Sequence, residues 1–213
     1  MLIRGMRTTP ALSALCLLLV SSLTLSAAHH KKTMQVFNGK NLDGWSIEGG
    51  GQFSVADGVL KVNRGTGWLR SDDTFGDFVL VMEFRFLEDG ANSGIFVRTS
   101  KTSNQEEGLW PTSRYQVQCM NNLEGGNPLG YIFPHNVPDV QFLYDLEAVK
   151  AAYKPTGEWL RYEITVRGDR LTTKLNGKLI NVVTDISTPS GHIGIQGENG
   201  LLEFRKIEVT PLK

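Results

Sequence analysis

The sequence of 213 residues is short of the side chains that many enzyme mechanisms lean on, with 2 Cys and 4 His. So few thiols exclude both a disulfide framework and a Cys-based zinc site, and an ordinary core must hold the fold. Charge of one sign is not in excess either, because 22 Lys+Arg face 22 Asp+Glu. Phosphate recognition relies on clustered Lys and Arg, so this balance argues against a nucleic-acid partner. No run of like charges provides an acidic tail or a basic membrane patch. Also missing are a Gly-x-Ser-x-Gly elbow, a phosphate-binding loop and a His-Glu-x-x-His helix. The Glu-x-Asp-x-x-Glu strand of two-carboxylate sandwich glucanases does not occur. No compact Asp-rich loop suggests calcium, and neither a metal nor a cofactor is expected.

One long apolar run is present, at the N-terminus. Arg4 and Arg7 precede an apolar stretch over residues 11–25, and Ser26-Ala27-Ala28 follow. A charged start, a short apolar centre and small residues at the exit predict a secretory signal peptide over residues 1–28. The run is too short to favour a spanning helix, and Cys16 lies inside it rather than at the exit, where a lipid anchor would need it. Cleavage after Ala28 would remove two basic residues and Cys16, leaving a slightly acidic exported chain with Cys119 as its sole thiol and no membrane span. Residues 29–33 read as a frayed start and residues 34–213 as one domain.

From Met34 onward a period of two dominates. In residues 78–86, Phe78, Leu80, Met82, Phe84 and Phe86 share one face, while Val79, Val81, Glu83 and Arg85 share the other. That is a strand covering a core on one side and facing solvent or ligand on the other. Residues 94–98, 115–120, 159–167, 170–175, 192–196 and 202–209 read the same way. Gly168-Asp169, Asn176-Gly177 and Asn199-Gly200 punctuate them as tight reversals, with Asn176-Gly177 the strongest hairpin signal. The expected fold is all-β, an antiparallel sandwich or barrel. Residues 99–114 and 121–158 break the rhythm. The second stretch, with a short helix expected near residues 143–152, is rich in Phe and Tyr and reads as one long loop packed over a sheet.

Polar residues on the mixed strand faces are the candidates for chemistry. Glu83 shares a face with Arg85, Gln116 with Gln118, and Gln196 with Glu198, while Arg98 ends its strand. Planar amides and guanidinium groups suit sugar hydroxyls, since each makes directed hydrogen bonds. Trp110, Tyr131 and Trp159 could supply apolar faces for sugar rings. The competing reading is a plain solvated face with cross-strand pairs.

An ordered series of motifs spans nearly all of residues 34–213. It runs Leu42-Asp43-Gly44-Trp45, Asp57-Gly58-Val59-Leu60, Phe75-Gly76-Asp77-Phe78 and Asn92-Ser93-Gly94-Ile95-Phe96-Val97-Arg98. It continues through Gly157-Glu158-Trp159, Leu175-Asn176-Gly177, Gly194-Ile195-Gln196 and Glu203-Phe204-Arg205. Together these resemble the 3-keto-disaccharide hydrolase domain family. The resemblance implies a jelly roll like the concanavalin-type lectins and glucanases, residence in the periplasm or at the cell surface, and a saccharide substrate oxidised at carbon 3. It implies a base, for which Glu83 and Glu198 are the acidic candidates, and a donor for an enolate oxygen, for which Arg98 is the candidate. Arg85, Gln116, Gln118, Asn121, Gln196, Trp110 and Tyr131 are then expected to contact substrate. Where the family pattern reads Tyr-Glu-x-Gln-x-x-Asp, this chain has Gln116 and Asn121, two amides that cannot act as bases near neutral pH. The same fold without catalysis would make a carbohydrate-binding module, and without a sugar site an interaction domain of the cell envelope.

Overall fold

The alternation resolves into two antiparallel sheets in a computed structural model, which describes residues 32–103 and 109–213. The expected signal peptide and residues 29–31 of the expected frayed start lie outside the described residues, whereas Thr33 Oγ1 lies 2.7 Å from Thr210 Oγ1. In chain order the first strands are β1 (Met34–Gln35), β2 (Trp45–Gly49), β3 (Phe53–Ala56), β4 (Val59–Asn63), β5 (Gly67–Phe75), β6 (Phe78–Phe86), β7 (Asn92–Thr99) and β8 (Arg114–Met120). There follow β9 (Ile132–His135), β10 (Gln141–Tyr144), helix α1 (Leu146–Ala152), β11 (Leu160–Arg167), β12 (Arg170–Leu175), β13 (Lys178–Thr184), β14 (Gly191–Gly197) and β15 (Leu201–Pro211). One sheet has the order β10-β13-β12-β11-β6-β15-β4-β3, with β1 also paired to β15. The other has the order β2-β5-β14-β7-β8-β9. The fold is the expected sandwich of jelly-roll type.

Its core lies between the sheets. Phe78, Leu80, Met82, Phe84 and Phe86 of β6 are buried, while Val79, Val81, Glu83 and Arg85 on the other face are partly exposed. Phe84 packs against Tyr162 and Phe204, with ring centroids 4.7 and 6.0 Å away. The second sheet contributes Ile95, Val97, Tyr115, Val117, Ile193 and Ile195. Full burial of such side chains stabilises by roughly 1.5–3 kcal/mol each. Cys119 belongs to this inner face, and burial pushes its thiol pKa well up, which removes it as a nucleophile.

The long packed loop contains more structure than its sequence suggests. β9 pairs with β8 at the edge of one sheet, and β10 pairs with β13 at the edge of the other. Each has four residues, too few for alternation to register, and Pro134 sits where an edge strand tolerates it. The helix starts later than expected because Asp145 caps it, accepting from Ala148 N at 2.9 Å, and because residues 141–144 are committed to the sheet. Asn176 and Gly177 take φ of 47° and 84°, the left-handed pair that a two-residue reversal between β12 and β13 requires. Among the described residues, no helix is long and apolar enough to cross a membrane.

Candidate functional site

A row of amides marks the outward face of the second sheet. On β8, side chains of even number point away from the core, which places Gln116 and Gln118 beside each other with 7% and 4% exposure. Gln118 is registered with Gly94 on β7, and Ile95 with Ile195 on β14, so Gln196 on β14 falls in the same row, 3% exposed. Amides buried on an outward face must satisfy one another or be covered by loops, and here both occur. Gln116 Nε2 donates to Gln118 Oε1 at 2.7 Å and to Gln196 Oε1 at 3.1 Å. Gly94 makes this possible, because a Cβ there would lie 2.8 Å from Gln116 Cγ and 2.5 Å from its Nε2. Gly194 plays the same part for the edge-to-face pair of Trp68 and Phe96.

The row ends on a carboxylate. Gln118 Nε2 donates to Asn92 Oδ1 at 3.1 Å, and Asn92 Nδ2 donates to Glu198 Oε2 at 2.6 Å. Asn92 is itself fixed, since its backbone N–H donates to Asn199 O at 2.7 Å. Burial raises the Glu198 pKa above its ordinary 4.5. Amides and carboxylate line a cleft of about 250 Å³ together with Trp110, Arg114, Asn127, Phe133, Pro134 and His135. Arg114 Nη1 donates to Pro111 O at 2.8 Å, and its Cζ lies 5.9 Å from the ring centroids of both Phe96 and Trp110. Trp110 Nε1 reaches Gly197 O at 3.4 Å, which seats the indole over the end of β14.

Gln116, Gln118, Gln196, Glu198 and Trp110 therefore converge, and the remaining expected site residues do not join them. Glu83 and Arg85 lie on the outward face of the other sheet. A bulge in β15 between Arg205 and Glu208 turns two cations onto Glu83, with Arg205 Nε at 2.6 Å and Lys206 Nζ at 2.7 Å. Burial raises the Glu83 pKa, but the hydrogen bonds from Lys206 and Arg205 outweigh it, and the net direction is down. Arg85 Nε donates to Glu203 Oε2 at 2.7 Å, and Arg85 and Arg205 both pack on Trp159, 4.7 and 3.9 Å from its centroid. Arg98 is 2% exposed and is a tie between loops: its guanidinium donates to the carbonyls of Gly76, Gly168 and Thr188 and to Asp77 Oδ1. Asn121 joins a corner cluster, donating to Thr156 Oγ1 at 2.8 Å and accepting from Tyr153 OH at 2.6 Å. Tyr131 packs edge-on against Phe133, Phe142 and Tyr144 rather than lining the cleft.

Asn92, Arg114 and His135 line the cleft without having been singled out as candidates. The parity of Asn92 with Gly94, and of Arg114 with Gln116, was the available signal. Among the described residues, no three His, Cys, Asp or Glu side chains gather as a metal site.

Residues 32–210 match a family described as a 3-keto-alpha-glucoside-1,2-lyase-like domain. No curated protein matches the chain. Similar folds occur in two presumed glycosyl hydrolases from Parabacteroides distasonis. One is 15% identical with a TM-score of 0.65, covering 85% of this chain and 94% of that one. The other is 22% identical with a TM-score of 0.62, covering 85% and 100%. A carbohydrate-binding module from Bacillus subtilis is 11% identical with a TM-score of 0.54, covering 78% and 94%. At these identities the likeness is one of fold.

Proposed function

The chain belongs to the 3-keto-alpha-glucoside-1,2-lyase-like family, and from that premise we propose that it cleaves glycosides whose sugar carries a ketone at carbon 3, with Glu198 as base. The ketone acidifies the proton on carbon 2. Transfer of that proton to Glu198 leaves an enolate, and as the carbonyl re-forms the electron pair moves between carbons 1 and 2 and the bond from carbon 1 to the glycosidic oxygen breaks. The leaving oxygen takes up one proton, so the products are a sugar enone and a free alcohol. Water added back at carbon 1 would complete a hydrolysis.

The observation that carries the proposal is that Glu198 is the one carboxylate among the described residues lining the cleft, with one oxygen held by Asn92 and the other left for a proton. Among the described residues lining the cleft, Arg114 is the cation proposed to face the developing enolate, and His135 the imidazole proposed to face the leaving oxygen. Gln116, Gln118 and Gln196 offer hydrogen bonds to hydroxyls, and Trp110 and Phe133 offer ring faces. At about 250 Å³ the cleft falls below the roughly 300–1,000 Å³ of pockets for drug-sized ligands, a size suited to a single sugar ring.

Turnover is tested by incubating the purified protein with a 3-keto-glucoside and following enone and free alcohol. Because burial raises the Glu198 pKa and the base must be deprotonated, kcat/KM should rise with pH through an ionisation above 4.5 and then level off. A pH–rate profile that is already flat at and below 4.5 would remove Glu198 as the base.

A second reading is favoured by the amides Gln116 and Asn121, which stand where the family pattern has acids. It is a saccharide-binding module without turnover, and calorimetry would then show binding with no product. We also propose that residues 1–28 export the chain to the periplasm or cell surface. N-terminal sequencing of the processed protein should begin at His29, and retention of Met1 in the cytoplasm would count against export.

A further inference from the structure

The hydrogen bonds across the cleft have a direction. Gln116 Nε2 donates towards Gln118 Oε1, Gln118 Nε2 towards Asn92 Oδ1, and Asn92 Nδ2 towards Glu198 Oε2. A side-chain amide has one donating end and one accepting end, so the orientation of each group dictates that of the next. The origin of the chain is Gln116, which spends both Nε2 hydrogens, on Gln118 and Gln196. All three Gln side chains are buried, so water has little opportunity to break the links among them, whereas Asn92 and Glu198 at the far end are partly exposed.

We infer that Gln116 sets the direction of this relay and thereby fixes Glu198 as a proton acceptor, with Gln118 and Asn92 as positioning residues; this rests on Glu198 being the base proposed above. A carboxylate at position 116 has no N–H to give. Gln118 would turn its Nε2 towards that carboxylate and present Oε1 to Asn92. Asn92 would then give its Nδ2 to Gln118 and leave Oδ1 facing Glu198. An acceptor facing a carboxyl group suits only the protonated form, so the reversed relay makes Glu198 a proton donor. The choice between Gln and Glu at position 116 thus selects base or acid chemistry at position 198, although the two residues need never touch.

The other charged groups around the cleft are the same in every variant of the test. Arg114 and His135 line the same cleft, and the ion pair of Arg64 and Glu88 adjoins the turn at Gly200.

The protonation of Glu198 can be read without any turnover, by carboxyl carbon NMR of the full chain labelled at Glu, with the Glu198 signal assigned through Glu198→Gln. In Gln116→Glu its titration should move upward by about one pH unit or more. The added negative charge alone would also raise it, so Gln196→Glu is the control. That change places a carboxylate where Gln116 already finds an acceptor, keeps the relay direction, and puts its charge only two residues from Glu198, so a smaller shift there than in Gln116→Glu is the mark of reversal rather than of charge. Asn92→Leu removes the last donor without adding charge and should also move the titration upward, which keeps the test open if Gln116→Glu fails to fold. Equal shifts in Gln116→Glu and Gln196→Glu, or an unmoved titration in Asn92→Leu, would overturn the relay. If the titrations move as expected while no 3-keto-glycoside is cleaved, the relay stands and the base role proposed for Glu198 falls.

Discussion

Glu198→Gln should lower kcat/KM for 3-keto-glycoside cleavage by at least about 100-fold, the lower end of what a positioned general base contributes. The substitution preserves shape, and its Oε1 can still accept from Asn92 Nδ2, which now donates at 2.6 Å. Fold and saccharide affinity should therefore stay close to those of the unmodified chain, and the loss should fall on kcat. Glu83→Gln is the contrasting variant. Glu83 lies on the opposite sheet, held by Arg205 and Lys206, so its loss should register in thermal unfolding and leave turnover per folded molecule intact. Steady-state kinetics beside a melting curve separates the two. Full activity in Glu198→Gln, or a dead but folded Glu83→Gln, would move the base to the other sheet.

The other large effect concerns stability. Arg98→Met should destabilise the fold by about 3–5 kcal/mol, because three carbonyls lose their donor at about 1–3 kcal/mol each where they are buried. The guanidinium is almost fully enclosed. It joins Gly76 before β6, Gly168 between β11 and β12, and Thr188 before β14, while Asp77 pairs with it at 2.6 Å. Methionine fills much of the volume and satisfies none of these acceptors, and Asp77 loses its countercharge. In a domain of this size each kcal/mol corresponds to about 2–4 °C, so the melting temperature should fall by roughly 6–20 °C. The enolate-donor role that the sequence suggested for Arg98 predicts the opposite division, with a normal melting curve and a collapsed kcat.

These two residues also show where sequence reasoning succeeds and where it stops. Strict alternation in β6 disclosed both faces of a strand, and Asn176-Gly177 disclosed a hairpin, because each is a local property of the chain. β5 escaped notice because Arg70, Ser71, Asp72 and Asp73 interrupt its apolar pattern. β9 and β10 are too short for any period to show. In the site, parity correctly put Gln116 beside Gln118, but parity is blind to which sheet a face belongs to. Glu83 with Arg85 and Gln196 with Glu198 look alike in sequence, yet they end on opposite outer surfaces of the sandwich. Arg98 has the parity of Phe96 and Gly94, and only the packing of three loops around its end of β7 reveals it as a tie. Asn92 and Arg114 have the parity of the cleft residues, and nothing local says that the loops fold back to enclose them.

The measurement closest to the central claim is the cleavage of a 3-keto-glucoside carrying deuterium at carbon 2. If Glu198 removes that proton in the slow step, the unmodified chain should release the alcohol several-fold more slowly from the deuterated substrate than from the ordinary one, and the sugar product should be an enone that has lost its deuterium. Release of the alcohol with deuterium retained at carbon 2, or binding without release from either substrate, would contradict it.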